Sequence, residues 1–90
     1  MLIVRGVNVF PSAIEAIVRR FPVEEFQIEV FRAGELDEMR VLVEVDGGVE
    51  AAPRVQAALR GGLGIRVEVV AVGSGTLPRF ELKARRVVRR

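Results

Sequence analysis

The C-terminal end of the chain carries the residues best suited to chemistry. Residues 73–90 begin with glycine, serine and threonine and include Lys83, which is the only lysine; the other thirteen basic residues are arginines. Lysine is a compact point charge on a thin stem, whereas arginine is a wide planar fork, so a narrow site on a phosphoryl or acyl oxyanion favours lysine. Composition alone gives equal weight to an incidental surface lysine.

The composition excludes several classes of site. The chain has no cysteine, histidine, tyrosine or tryptophan. Disulfides, thiolate metal sites, common zinc sites and histidine-dependent catalytic triads are therefore excluded, and we expect no metal. Ninety residues predict one small domain, 1–90. No apolar run approaches the roughly 20 residues that cross a bilayer, and no signal-peptide pattern is present, so we expect a cytoplasmic protein without a membrane partner.

Charge is distributed unevenly along the chain. Residues 1–78 carry eight basic and eleven acidic side chains, a net of −3, whereas residues 79–90 carry six basic and one acidic, a net of +5. The basic character is therefore a property of the C-terminal loop and tail, 73–90. We interpret the last arginines either as a solvated end or as an edge strand kept soluble by charge.

Hydrophobic periodicity defines the elements that must position this end. A short strand, a turn at Arg5 and Gly6, and a second extended piece precede a helix that opens at Pro11, with Ser12 and Glu15 spaced for a capping box. Residues 25–32 and 39–46 alternate as half-buried strands joined by a connection of about five residues. A second helix follows, with an inner face at these positions: Ala52, Val55, Leu59 and Leu63.

The last strand has its inner face at the following positions: Ile65, Val67, Val69 and Ala71. The order strand, helix, strand, strand, helix, strand is that of ferredoxin-like folds. The sequence therefore predicts an α+β domain in which an antiparallel sheet is covered on one face by two helices.

Two motifs, one at each end of the domain, resemble a known family. Residues 5–15, RGVNVFPSAIE, look like the opening of the C-terminal domain of phenylacetate-CoA ligases, which are adenylate-forming acyl-CoA ligases. Residues 76–87, TLPRFELKARRV, resemble its closing segment, and residues 34–38 and 63–68 are similar too. The resemblance covers essentially the whole chain in order.

The resemblance implies a lid, a small domain that rotates over a large nucleotide-binding domain between an adenylating and a thioester-forming pose. Lys83 occupies the position of the family's catalytic lysine, which contacts carboxylate and phosphate oxygens during adenylation. Cofactor contacts are implied for Gly6, Val7 and Asn8, beside coenzyme A, and for Arg79. ATP or AMP and coenzyme A are then expected only together with a partner adenylating domain, so this freestanding or excised lid is not expected to be active or to bind cofactor alone.

Two other functions remain open at this stage. The domain could be a non-catalytic regulatory or dimerisation module derived from the lid, forming a homodimer through its sheet edges. A nucleic-acid partner that uses the basic tail is less favoured, because no pair of exposed aromatic residues can be assigned to neighbouring strands. The scarcity of lysine together with the absence of cysteine and histidine hints at a thermophile or a GC-rich source.

Overall fold

A computed structural model of the protein describes residues 2–46, 50–77 and 86–90. The elements in chain order are β1 (Leu2–Val4), β2 (Val7–Val9), α1 (Pro11–Val18), β3 (Glu25–Ala33), β4 (Leu36–Val45), α2 (Ala51–Leu63), β5 (Glu68–Gly73) and β6 (Val87–Arg89). Among these residues, β1 and β2 form a separate hairpin, and the other four strands form one sheet in the order β5-β4-β3-β6.

The predicted α+β, ferredoxin-like class is confirmed, but the strand directions differ from the prediction. The central pair, β3 and β4, is antiparallel, whereas β5 lies parallel to β4 and β6 lies parallel to β3. The sheet is therefore mixed rather than antiparallel throughout. One reason is that α2 connects β4 to β5 as a crossover, so β5 runs in the same direction as β4. The other is that the edge position beside β3 is occupied by the C-terminal strand β6 and not by the N-terminal strand β1.

Both helices cover the same apolar face of the sheet. Their buried residues, Ile14, Ile17 and Val18 of α1 and Val55 and Leu59 of α2, join one core cluster with the alternating apolar residues of β3 and β4. Those strand residues are the ones that the alternation predicted: Phe26, Ile28, Val30, Met39, Val41, Val43 and Val45. The period of the sequence pattern thus identified the core face correctly.

Two local predictions were wrong. The N-cap of α1 is Phe10 and no side chain caps the helix, so Ser12 and Glu15 form no capping box. The helix begins at Pro11 as predicted, and Pro11 at the first helical position explains the missing cap, because proline is already constrained to a helical φ and lacks the N–H that would need one. The β3–β4 connection is two residues rather than about five: Ala33 pairs with Leu36, and Gly34 has a positive φ of 69°.

Candidate functional site

The β1–β2 hairpin places the first group of predicted site residues. Arg5 and Gly6 form its two-residue turn with φ values of 52° and 77°. Positive φ at both central residues is characteristic of the type I′ turn, whose twist matches that of paired strands. Ile3 lies opposite Asn8 in the register and Val4 lies opposite Val7. The turn therefore determines which side chains face outward.

Arg5 attaches this hairpin to the main sheet. Its backbone N–H donates to the Asp37 carbonyl oxygen at 3.1 Å, and its Nε donates to the Glu38 carboxylate at 2.8 Å. The hydrogen bond to Glu38, followed by the Coulomb attraction of the same carboxylate, raises the pKa of the Arg5 guanidinium above its usual value. The hairpin is thus held against the beginning of β4, so its outward face has a defined orientation.

The outward face of the hairpin is partly apolar and exposed. Ile3 is 56% exposed and Phe10 is 53% exposed, and Asn8 is also exposed. Gly6 is exposed, and a Cβ built there would meet no atom within 4 Å. Val7, by contrast, is half-buried and packs against the core. Gly6 and Asn8 are therefore accessible to a ligand, and Val7 between them packs the hairpin against the core.

The opposite face of the main sheet carries a buried acidic pair. Glu25 of β3 and Glu44 of β4 are direct cross-strand neighbours, with exposed fractions of 5% and 0%. Gln27 on the same face is also buried, at 7%. The alternation predicted that this polar face of β3 would be solvated, which is wrong for Glu25 and Gln27. Buried carboxylates need donors.

Each member of the acidic pair receives a hydrogen bond from the C-terminal part of the chain. The Leu77 backbone N–H donates to Glu44 Oε2 at 2.9 Å. Arg86 Nε donates to Glu25 Oε1 at 2.9 Å, and the Phe26 N–H donates to the same oxygen at 3.1 Å. Burial tends to raise the pKa of Glu25, but the Arg86 hydrogen bond, the Phe26 N–H and the nearby guanidinium charges outweigh it, so the pKa lies below its usual value.

Arg86 is a structural residue that sequence reasoning did not identify. Its side chain is only 11% exposed, approaches Glu15 at 3.5 Å and Glu25 at 2.9 Å, and places its guanidinium carbon 4.9 Å from the centre of the Phe26 ring. Of the two alternatives for the arginine-rich end, the edge strand is confirmed by β6, but Arg86 is not solvated. The sequence signal that could have identified Arg86 is Glu25 at the start of β3, because a carboxylate that becomes buried needs a cation nearby.

Lys83 and Arg79, the other predicted site residues, lie outside the described residues. Leu77 and Arg86, which flank residues 78–85, are described. Leu77 is buried, and Arg86 pairs with Glu15 and Glu25. The structure therefore places Gly6, Val7 and Asn8 together on the hairpin and does not test the positions of Lys83 and Arg79.

Surface clefts also lie elsewhere in the described part of the domain, including one of about 270 Å³ lined by Arg5, Gln56, Arg66 and Glu68. A second, of about 300 Å³, lies between the start of α2 and the end of β4, and its lining includes Phe21, Asp46 and Arg54. A third, of about 160 Å³, lies between the start of α1, β3 and Arg86. Within residues 2–46, 50–77 and 86–90, no group of three or more acidic side chains is arranged to hold a metal ion. None of the described helices is long and apolar enough to cross a membrane.

Comparison with known proteins relates this geometry to a family. A phenylacetate-coenzyme A ligase from Escherichia coli strain K12 is 36% identical over 97% of this chain, and the chain spans 22% of that ligase. A crystallised domain of a phenylacetate-coenzyme A ligase from Bacteroides vulgatus ATCC 8482 has a TM-score of 0.82 and 31% identity, with 99% of this chain and 91% of that chain covered.

A third relative is a larger enzyme with ligands bound. A 2-hydroxyisobutyryl-CoA ligase, crystallised with 2-HIB-AMP and CoA in the thioesterification state, has a TM-score of 0.81 and 28% identity. The match covers 96% of this chain and 20% of that enzyme. The family described as AMP-binding enzyme C-terminal domain matches residues 6–90. The chain therefore belongs to the AMP-binding enzyme C-terminal domain family and represents the C-terminal domain of AMP-forming acyl-CoA ligases.

Proposed function

We propose that this domain serves both half-reactions of a carboxylic acid–CoA ligase together with a nucleotide-binding domain. In the first, a carboxylate oxygen attacks the α-phosphorus of ATP and releases pyrophosphate, which yields an acyl-adenylate. In the second, the thiol of coenzyme A attacks the acyl carbon and releases AMP. The observation that carries the proposal is the family match across residues 6–90 of a chain that spans only about a fifth of a full ligase.

Lys83 is proposed to act in the first half-reaction. Its ammonium would stabilise the charge that develops between the carboxylate and the α-phosphate, where a preorganised cation is most effective. The support is that the single lysine of the chain lies in the segment similar to the family's closing motif. Arg79, four residues earlier, is proposed to contact cofactor phosphate.

The β1–β2 hairpin is proposed to contact coenzyme A in the second half-reaction. Gly6 lets a ligand approach the backbone closely, and the exposed amide of Asn8 can both donate and accept hydrogen bonds. The Arg5 attachment to Asp37 and Glu38 supports this role, because it holds the hairpin in one orientation. The thioesterification-state relative was crystallised with CoA, and this proposal extends that ligand to the present chain.

The test is a chimaera in which this chain replaces the C-terminal domain of a phenylacetate-CoA ligase. Phenylacetate-dependent exchange of pyrophosphate into ATP measures adenylation, and AMP release from preformed phenylacetyl-adenylate and coenzyme A measures thioester formation. Lys83→Ala should lower exchange by about 100-fold or more and leave the second step within about threefold.

Asn8→Glu should do the opposite, because an added carboxylate on the exposed face of β2 repels the phosphates of coenzyme A. We expect a KM for coenzyme A raised about tenfold and unchanged exchange. Asn8→Gln is the matched control that keeps the amide. Exchange unaffected by Lys83→Ala would remove the proposed mechanism, and an inactive chimaera with a stable homodimer of the isolated domain would favour the regulatory alternative.

A further inference from the structure

The cleft of about 270 Å³ differs in character from the other two clefts described above. Its four lining residues are all polar or charged: Arg5, Gln56, Arg66 and Glu68. The other two clefts have aromatic and proline side chains in their linings. The polar lining is assembled from the turn of the β1–β2 hairpin, helix α2 and the region where β5 begins. Such a cleft suits an ionic ligand better than an acyl chain.

Arg5 reaches this cleft with its guanidinium already held in place. Its Nε donates to both carboxylate oxygens of Glu38 at 2.8 Å. Among the described residues, Glu38 and the backbone carbonyl of Asp37 are its hydrogen-bond partners, so its terminal amino groups are left to donate to a ligand. Arginine groups of this kind bind phosphate oxygens with short, charge-assisted hydrogen bonds. Arg5 is therefore a preorganised donor for an anion.

Gln56 presents a second donor to the same cleft. Its Oε1 accepts the Val69 backbone N–H at 3.2 Å. Because the oxygen of the amide is used in this way, the NH₂ group is the end that is left for a ligand. Within the described part of the chain that NH₂ group makes no hydrogen bond. The contact with β5 thus fixes the amide so that it donates rather than accepts.

Arg66 supplies the second cation of the cleft. It is exposed, and it forms no ion pair with any residue that the structure describes. Glu68 is the one carboxylate among the four lining residues, and it pairs with Arg40 at 3.7 Å, which offsets part of its charge. Two guanidiniums therefore share the cleft with one partly neutralised carboxylate, and this balance favours an anion.

We infer that this cleft binds phosphate groups of coenzyme A during thioester formation. The inference rests on the proposed function, in which Gly6 and Asn8 of the hairpin contact coenzyme A. Arg5 precedes Gly6 in the hairpin turn and also lines the cleft, so one ligand can lie along both. Coenzyme A carries a diphosphate and a 3′-phosphate at its nucleotide end, and two arginines with an amide donor match these oxygens.

The test uses the same chimaera, saturated with an unreactive sulfamate analogue of phenylacetyl-adenylate, and measures coenzyme A binding by isothermal titration calorimetry. Arg66→Gln should raise the Kd about tenfold, because it removes a cation that faces phosphate. Gln56→Glu keeps an oxygen for the Val69 N–H but replaces the donor with a negative charge, so the Kd should rise by about as much. Glu68→Gln removes a repulsive carboxylate and should lower the Kd about two- to threefold.

Arg20→Gln is the matched control for the loss of charge. Arg20 is exposed and forms no ion pair among the described residues. It precedes Phe21, which lines the cleft at the end of β4, whereas Arg5 is attached at the beginning of that strand. The variant loses the same charge at a site remote from the proposed ligand, so its Kd for coenzyme A should stay within about twofold of the parent.

The two half-reactions separate a phosphate contact from a general defect. In Arg66→Gln, the KM for coenzyme A should rise about tenfold, with kcat and pyrophosphate exchange within about threefold of the parent. Pantetheine has the thiol arm without a phosphate, so its reaction rate should be the same in parent and variant.

Equal losses with coenzyme A and with pantetheine would overturn the inference, as would parental Kd values in both Arg66→Gln and Gln56→Glu. If Asn8→Glu raises the KM for coenzyme A and Arg66→Gln does not, only the phosphate subsite fails. If neither raises it, the proposed role of the hairpin fails as well.

Discussion

Replacing Arg86 with methionine tests whether the buried ion cluster stabilises the domain. The substitution keeps an unbranched apolar chain but removes the guanidinium that pairs with Glu25 at 2.9 Å and Glu15 at 3.5 Å. Breaking one side of a buried pair typically costs about 3–5 kcal/mol, because it leaves an uncompensated charge. Glu25 keeps its Phe26 N–H, so we expect a loss at the lower end, about 3 kcal/mol at neutral pH.

The loss should be large enough to measure by urea unfolding followed by circular dichroism. For a domain of this size, about 3 kcal/mol corresponds to a fall in Tm of roughly 12–24 °C. The matched control is Arg90→Met, which removes a 58% exposed arginine paired with Glu29 at 3.0 Å. An exposed pair is worth about 0–1 kcal/mol, so this variant should unfold close to the parent.

The pH dependence gives the cause a separate test. In the parent, the lowered pKa of Glu25 stabilises the fold above the unfolded-state value of about 4.3, and this contribution is lost as pH falls through the lower folded-state value. Without Arg86, burial should raise the folded-state pKa above the unfolded value, so the variant gains relative stability as pH falls. The difference between parent and variant in the free energy of unfolding should therefore shrink as pH falls below about 4.3, and it should be smallest once Glu25 is protonated in both folded proteins.

Two results would refute this reasoning. One is that Arg86→Met and Arg90→Met cost the same at neutral pH. The other is a loss of stability for Arg86→Met that is the same at pH 7 and at pH 4, because linkage requires the loss to be smaller at the lower pH. The double variant Arg86→Met with Glu25→Leu should recover most of the lost stability, because a buried apolar pair needs no compensation.

Three further predictions concern the fold. Gly61→Ala should stabilise the domain by about 0.5–1 kcal/mol, because the position is helical with open space around it. Gly62→Ala should stabilise it less, because its Cβ would press on the Ile17 side chain of α1. Urea unfolding of both variants measures the difference. Glu25→Gln should remove part of the parent's loss of stability below about pH 4.3, as acid titration followed by circular dichroism would detect. Ile28→Ala, at a position 0% exposed, should cost about 2–5 kcal/mol and Ile3→Ala, at one 56% exposed, about 0.5 kcal/mol or less; equal costs would contradict the assigned core.

The sequence by itself determined the class of the domain and most of its core. The period-2 alternation of β3 and β4 and the helical spacing in α2 identified most of the buried apolar residues of these elements, because these patterns depend on neighbours within a few positions. The Arg5-Gly6 turn was also evident from local residue types. The hairpin carrying Gly6, Val7 and Asn8 was therefore predictable.

Only the tertiary structure decided how distant parts of the chain meet. The parallel pairing of β6 with β3 and of β5 with β4 joins segments far apart in sequence, and local periodicity contains no information about partner or direction. The same holds for two hydrogen bonds between the C-terminal part of the chain and the central strands, those of Arg86 to Glu25 and of the Leu77 N–H to Glu44. An alternating glutamate looks solvent-facing in the sequence, and its burial depends on which other segment of the folded chain supplies the hydrogen-bond donors.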